Sequence, residues 1–358
     1  MIRTVGGIFP DNIRIIDGKR RRCAVIEVNE LTKVFRKPIR GNGLSGMVKT
    51  LFSRRYEEVR AVDGISFAVP DGEIIGYIGP NGAGKSTTIK MMCGILTPTS
   101  GSILIDGVEP YRKRQQVAQH IGVVFGQKTQ LWWDIPLVES FKVLKEIYQI
   151  PDADYEERMK FLGEVLDITR FLSQPVRTLS LGERMRADLA ASMIHNPRIL
   201  FLDEPTIGMD VLVKEKIRTA IHALNKTYGT TVVLTTHDMT DIENLCSRII
   251  LLEKGKIIYD GPLTSLKKRF GNLKTLTLTV PAEIRAETAP GLSEEVALSE
   301  EDGRLILRFD ADRIPLEQVV QYAFSDLHAM DMKIAEISIG DVVKSILEQQ
   351  EAEHAEKI

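Results

Sequence analysis

The sequence predicts an α/β fold, with a largely parallel sheet split by a helical insert and followed by a small second α/β domain. Three observations lead there. Short apolar runs at residues 74–78, 199–202 and 231–234 read as strands buried on both faces. Residues 137–171 carry helix-spaced apolar positions, Leu137, Val138, Phe141, Leu144 and Tyr148, then Met159, Phe161, Leu162, Val165 and Leu166, interrupted at Pro151. Beyond residue 271, Thr alternates with Leu or Val over 275–280, a new strand after the core pattern has ended.

The 358 residues leave room for two domains, and 43% hydrophobic with 27% charged residues describes a folded chain. No apolar run approaches the roughly 18–20 residues that cross a bilayer, and no signal-peptide pattern opens the chain, so a cytoplasmic location is expected. Cys23, Cys93 and Cys246 are far apart, which argues against a disulfide framework or a zinc site. Residues 1–60 hold 14 Lys/Arg against 6 Asp/Glu, whereas residues 288–358 hold 6 against 16. A basic front suits anionic lipid, nucleic acid or simply a solvated surface.

Taken in order, residues 1–24 read as an extension with a basic cluster at Lys19-Arg20-Arg21-Arg22. A first strand is expected at 24–28. Leu44, Met47, Val48, Leu51 and Phe52 then share one helical face flanked by Lys49, Arg54 and Arg55, as in a short helix lying at a membrane surface, against a partner or over the core. Strands at 61–69 and 73–78 flank the turn Pro70-Asp71-Gly72, and further strands are expected at 103–106 and 121–125. The core domain is expected over 25–271, with its helical subdomain at about 128–180. The accessory domain covers 272–358, with a strand at 305–309 and helices at 315–327 and 341–347.

Directly after the run 74–78 stand Gly79, Pro80, Asn81, Gly82, Ala83, Gly84, Lys85, Ser86 and Thr87, reading GPNGAGKST. A loop that wraps a triphosphate turns its backbone N–H groups inward and excludes side chains at its tightest points, hence the glycines. Thr88, Ile89, Met91, Met92 and Ile95 suit a helix whose N-terminus faces the phosphates. Lys85 reaches the β- and γ-phosphates in such a loop, and the Ser86 hydroxyl holds Mg2+. A Gly-rich turn before a helix is the alternative reading.

Four further motifs follow in order. Gln127 ends the run Val123-Val124-Phe125-Gly126; Leu179-Ser180-Leu181-Gly182-Glu183 precedes a helix; Asp203-Glu204 closes the run 199–202; His237 follows Thr235-Thr236. With the loop, they resemble the nucleotide-binding subunit of ATP-binding-cassette (ABC) transporters over about residues 25–270. The resemblance implies a P-loop ATPase that uses ATP and Mg2+, dimerises head to tail and drives a separate integral membrane permease. It assigns Asp203 to Mg2+, Glu204 to polarising the attacking water, Gln127 to metal and water, His237 to the γ-phosphate and Asp210 to communication across the dimer.

Ser180 and Gly182 match the family signature LSGGQ, while Leu181 and Glu183 depart from it, and the charge of Glu183 puts engagement of the opposite subunit's ATP in doubt. Adenine stacks in this family on an aromatic residue between the first two strands. Phe35 ranks ahead of Tyr56, and plain packing is the alternative for both. The basic insertion resembles the interfacial gate helix of some polysaccharide-exporting subunits. More residues, Phe125-Gly126-Gln127 with Leu131-Trp132-Trp133 among them, resemble multidrug exporters of the viologen type. The tryptophans then dock a permease or pack in the core.

The reading is an exporter ATPase on the cytoplasmic face of the membrane, carrying a drug-like, lipid or other hydrophobic or cationic cargo, with no nucleic-acid partner. A soluble ABC ATPase that remodels ribosomal or DNA complexes is the rival. A single cassette, with only about fifty residues between Gln127 and Ser180, weighs against it.

Overall fold

The computed structural model describes residues 13–16, 19–22, 24–38, 56–126, 128–269, 273–281, 283–286, 292–293, 295–336 and 338–355. The amphipathic segment 44–52 and Gln127 lie outside them. The chain divides into two compact units, Met1–Asp260 and Gly261–Ile358.

The first unit opens with a short antiparallel pair, β1 (Ile13–Ile16) and β2 (Lys19–Arg22), within the N-terminal extension. β3 (Ala24–Pro38), β4 (Tyr56–Pro70), β5 (Ile74–Ile78), α1 (Lys85–Met92), β6 (Ser100–Ile105), α2 (Arg114–Ala118) and β7 (Ile121–Phe125) follow. The helical insert holds α3 (Leu137–Tyr148) and α4 (Asp152–Val165), and α5 (Leu181–Met193) leads back to the sheet. Then come β8 (Ile199–Asp203), α6 (Val211–Tyr228), β9 (Thr231–Thr235), α7 (Met239–Leu245), β10 (Arg248–Glu253) and β11 (Lys256–Pro262), whose last two residues already count with the second unit.

Six strands form the main sheet in the order β11-β10-β5-β9-β8-β7, and β10, β5, β9, β8 and β7 run parallel. All five residues of β5 and of β9 are buried, which is why these strands read as unbroken apolar runs. β4 instead alternates buried and exposed positions from Ile65 to Val69, as a strand with one dry face does, and it joins β3 and β6 in an antiparallel sheet. One buried cluster unites Val28, Leu31 and Val62 of that sheet, Ile89, Met91 and Met92 of α1, and Tyr77, Phe201 and Val233 of the parallel sheet.

The break in the insert is sharp. Gln149 turns left-handed with φ 53°, and Pro151 then starts α4, where its fixed φ suits a helix entry and its missing N–H costs nothing.

The second unit contains α8 (Leu263–Arg269), β12 (Leu273–Thr279), β13 (Ala297–Glu301), β14 (Arg304–Asp310), α9 (Leu316–Ser325), β15 (Asp331–Glu336) and α10 (Ile339–Ala355). Its strands pair antiparallel in the order β13-β14-β12-β15. Leu276, Leu278, Leu305, Leu307 and Phe309 pack there with Val319 and Tyr322 of α9. Neither β13 nor β15 is legible as a strand in the sequence. Both are edge strands, and edge positions carry the charged residues that hide the strand pattern.

Candidate functional site

Parallel strands end on the same side of a sheet, so the residues that follow β5, β9, β8 and β7 are collected along one edge in that order. The loop 79–87 follows β5, His237 follows β9, Asp203 and Glu204 close β8, and Gly126 follows β7. Motifs more than a hundred residues apart in sequence thereby meet.

Within the loop, Gly79 has φ 152° and Gly84 has φ 105°. A Cβ at either position would stand 2.3 Å from the Leu252 carbonyl oxygen or 2.4 Å from that of Ala61, so backbone contact on both sides excludes any side chain. Pro80, Asn81, Gly82 and Ser86 are exposed, Thr87 is half-buried, and Ala83 is buried. Lys85 is the first residue of α1 and only 7% exposed. Its Nζ donates to the carbonyls of Gly79 at 2.6 Å and Pro80 at 3.1 Å. Burial lowers its pKa below the usual lysine value, while Glu204 and Asp203 oppose that shift.

Asp203 bridges two strands' ends. Its Oδ1 accepts from Thr235 Oγ1 at 2.6 Å and its Oδ2 from Ser86 Oγ at 3.4 Å. Glu204 takes a left-handed φ of 55°, and its N–H donates to Thr235 O at 2.9 Å. That turn ends the strand and sends the second carboxylate elsewhere: Glu204 Oε1 lies 2.9 Å from His237 Nε2. The carboxylates open on a cleft of about 440 Å³ lined also by Ser86, Lys90, Ile95, Phe125, Gly126 and Lys128.

Among the described residues, no group of three or more His, Cys, Asp and Glu side chains is gathered to hold a metal. A hydroxyl beside one carboxylate instead suits Mg2+, which retains water and phosphate oxygens and takes few protein ligands.

Behind this edge sits a cluster the motifs do not reveal. Asp241, fully buried, accepts hydrogen bonds from Thr206 Oγ1 and from Thr236 Oγ1 at 3.3 Å, and its Oδ1 lies 3.2 Å from Arg218 Nε. Thr206 is two residues past Glu204, and Thr236 immediately precedes His237. The only hint in the sequence is an acid at a helix position that faces the core.

Ser180 caps α5. Its Oγ accepts from the Glu183 N–H at 3.3 Å, and Glu183 Oε2 accepts from the Ser180 N–H at 3.0 Å and hydroxyl at 2.9 Å. The Ser180 backbone N–H, then its side chain, hold the Glu183 carboxyl below its usual pKa. Gly182 lies against Val213, and Asp210 caps α6 by accepting from the Val213 N–H at 2.9 Å. Ser180, Gly182 and Asp210 thus form a second cluster, built on two helix starts. Phe35 and Tyr56 lie on one antiparallel ladder, paired with Val59 and Pro38 respectively. Phe35 is half-buried with Lys33 Nζ 5.3 Å from its ring centre, whereas Tyr56 is 54% exposed.

A glycine-lined loop at a helix start, with a hydroxyl, two acids and a histidine at the carboxyl edge of a parallel sheet, defines a P-loop nucleoside-triphosphate-binding protein. Residues 62–207 match the family described as "ABC transporter". The chain is 37% identical over 220 residues to the probable multidrug ABC transporter ATP-binding protein YbhF of Escherichia coli, covering 62% of this chain and 38% of that relative's length. It is 30% identical over 310 residues to the daunorubicin/doxorubicin resistance ATP-binding protein DrrA of Streptomyces peucetius, covering 86% of this chain and 92% of the relative. A dimeric bacterial ABC transporter cassette superposes with a TM-score of 0.54 at 26% identity, covering 66% of this chain and 98% of the cassette. The chain belongs to the family of ABC transporter ATP-binding proteins.

Proposed function

We propose that this chain binds and hydrolyses ATP and, as a homodimer on the cytoplasmic face of a membrane, drives a separate integral permease. The observation that carries the reading is the convergence of the Lys85 loop, the Ser86–Asp203 pair and the Glu204–His237 pair on one sheet edge. No helix among the described residues is long and apolar enough to cross a membrane, and this reading gives the transport path to a separate chain.

Backbone N–H groups of the loop and the Lys85 ammonium receive the phosphates. Ser86, Asp203 and Gln127 are the residues that would hold Mg2+, which supplies charge neutralisation on the phosphate oxygens. Glu204 accepts hydrogen from the attacking water and polarises it, while His237 orients Glu204 and meets the γ-phosphate. Ser180 and Gly182 close the site from the second copy, with Asp210 beside them, and Phe35 or Tyr56 stacks on adenine. The drug-resistance relatives support export of a drug-like, lipid or other hydrophobic or cationic cargo.

Glu204→Gln removes the proton acceptor and keeps the shape. We expect it to bind ATP, form a stable dimer and lose hydrolysis by at least about 100-fold. Hydrolysis close to wild type would remove Glu204 from the reaction. Capture of partners from solubilised native membranes by the tagged variant with Mg-ATP is expected to return a polytopic membrane protein. Ribosomal or DNA-associated partners alone would favour a soluble remodelling ATPase.

A further inference from the structure

The sheet of the second unit ends on two edges, β13 and β15, and the two are built differently. On β13 the adjacent acids Glu300 and Glu301 are bound by Arg285 and Arg308, a charged rim of the kind that discourages another strand from pairing. β15 carries no proline and runs in unbroken register along β12. Met332 and Ile334 stand opposite Leu278 and Leu276, both fully buried, so they lie on the core face of the sheet. Ile334 is nonetheless 44% exposed, and Met330, just before the strand, is 67% exposed. The apolar row of the core therefore runs out past the last strand. Asp331 and Lys333 occupy the other face, and both are exposed. Asp331 accepts from the Met332 N–H at 2.8 Å, and neither it nor Lys333 has an ion-pair partner among the described residues.

An antiparallel pair built on a two-fold axis sets residue i opposite residue j and j opposite i. Centred on Met332, that symmetry places Asp331 of each copy opposite Lys333 of the other, and Met330 of each opposite Ile334 of the other. Acid meets base on one face, and apolar meets apolar on the face that continues the core. Centring on Asp331 or on Lys333 instead sets two like charges face to face, and a centre between residues sets apolar side chains against charged ones. The strand is thus complementary to itself in one register. We propose that β15 is the interaction surface for a second copy of this chain, joining the two sheets edge to edge in the Met332-centred register without nucleotide. Two copies then stay together between rounds of ATP binding. This pairing adds to the ATP-closed dimer proposed above and does not depend on it.

The test is sedimentation equilibrium of the full chain in the absence of nucleotide, where a reversible monomer–dimer equilibrium is expected. Asp331→Lys sets two lysines against each other across the axis at each end, and Lys333→Asp sets two acids there. Each is expected to weaken dimerisation by about 10-fold. The double variant exchanges the charges and is expected to return to within about threefold of the wild type, a recovery that a general loss of structure does not give. Ile334→Lys places a charge in the apolar row and is expected to weaken the dimer by at least about 10-fold. Should that variant fail to fold, the charge exchanges, made on exposed side chains, decide alone. Single exchanges that leave the dimer unchanged, or a double variant no better than the singles, would overturn the pairing. A protein that sediments as a monomer throughout would overturn it too, and would leave the edge to a strand of a different protein. Failure of the ATP-closed dimer leaves these readings untouched, because no ATP is present.

Discussion

Asp203 and Glu204 are neighbours in the chain, yet their carboxylates share no partner: one faces Ser86 and Thr235, the other His237. The left-handed φ of Glu204 separates them, a conformation that few non-glycine residues hold unless their surroundings impose it. Asp188 shows the same dependence on surroundings in its charge. Burial raises its pKa from 3.8 to about 6, against the opposing hydrogen bonds of Thr129 and Gln130 and the charge of Arg184. Between those two values the folded state holds the proton that the unfolded state has released. Stability attributable to this group therefore falls as pH rises through the window, and the cost is complete above pH 6. Two units correspond to about 3 kcal/mol. Asp188→Asn has no such titration, so its stability relative to the wild type is expected to fall by about 2 kcal/mol from pH 7 to pH 4, where the unfolded carboxyl is still partly ionised, as read by urea unfolding at both values. A pH-independent difference would mean that the carboxylate is not desolvated.

At the scale of elements, the departure of the signature from LSGGQ has a local cause. The third helical residue of a capping box is served by Glu or Gln alike, and Glu183 adds a negative charge where the helix start favours one. Its charge is engaged at the helix start, and a Ser180 hydroxyl that reaches a phosphate has to exchange its bond to Glu183. Asp241 works between elements. It joins the ends of β8 and β9 to α6 through Thr206, Thr236 and Arg218, and so sets the spacing of the two loops that carry Glu204 and His237. Asp241→Ala takes from buried Arg218 its nearer and buried acid, leaving the exposed Glu215 at 3.7 Å. We expect a stability loss of about 3 kcal/mol in urea and a fall in kcat of at least about 10-fold, with KM for ATP within about twofold because the phosphate loop is untouched. An equal loss in kcat/KM through KM alone would place the effect on binding.

For the whole molecule, the two units each enclose a buried apolar cluster of their own. The segment Gly261–Ile358 expressed alone is therefore expected to melt in one cooperative transition by circular dichroism, and a featureless, non-cooperative melt would show that its core depends on the rest of the chain. The phosphate loop, the paired acids, the parallel strands β5, β7, β8 and β9 and the helical insert were legible in the sequence, because each rests on local chemistry: glycines where backbone must crowd, unbroken apolar runs where both faces are dry, helical spacing where one face is; β10 was not among the expected strands. β13 and β15 were not, since edge strands need not alternate. Nor were Arg218 and Asp241 legible as partners of the site, because a buried charged side chain reads in sequence like any surface one until the fold supplies what it faces. The sequence alone determined which nucleotide chemistry this chain carries. Only the tertiary structure decided how its pieces are held in register, because that depends on hydrogen bonds between residues tens of positions apart whose partners no local pattern encodes.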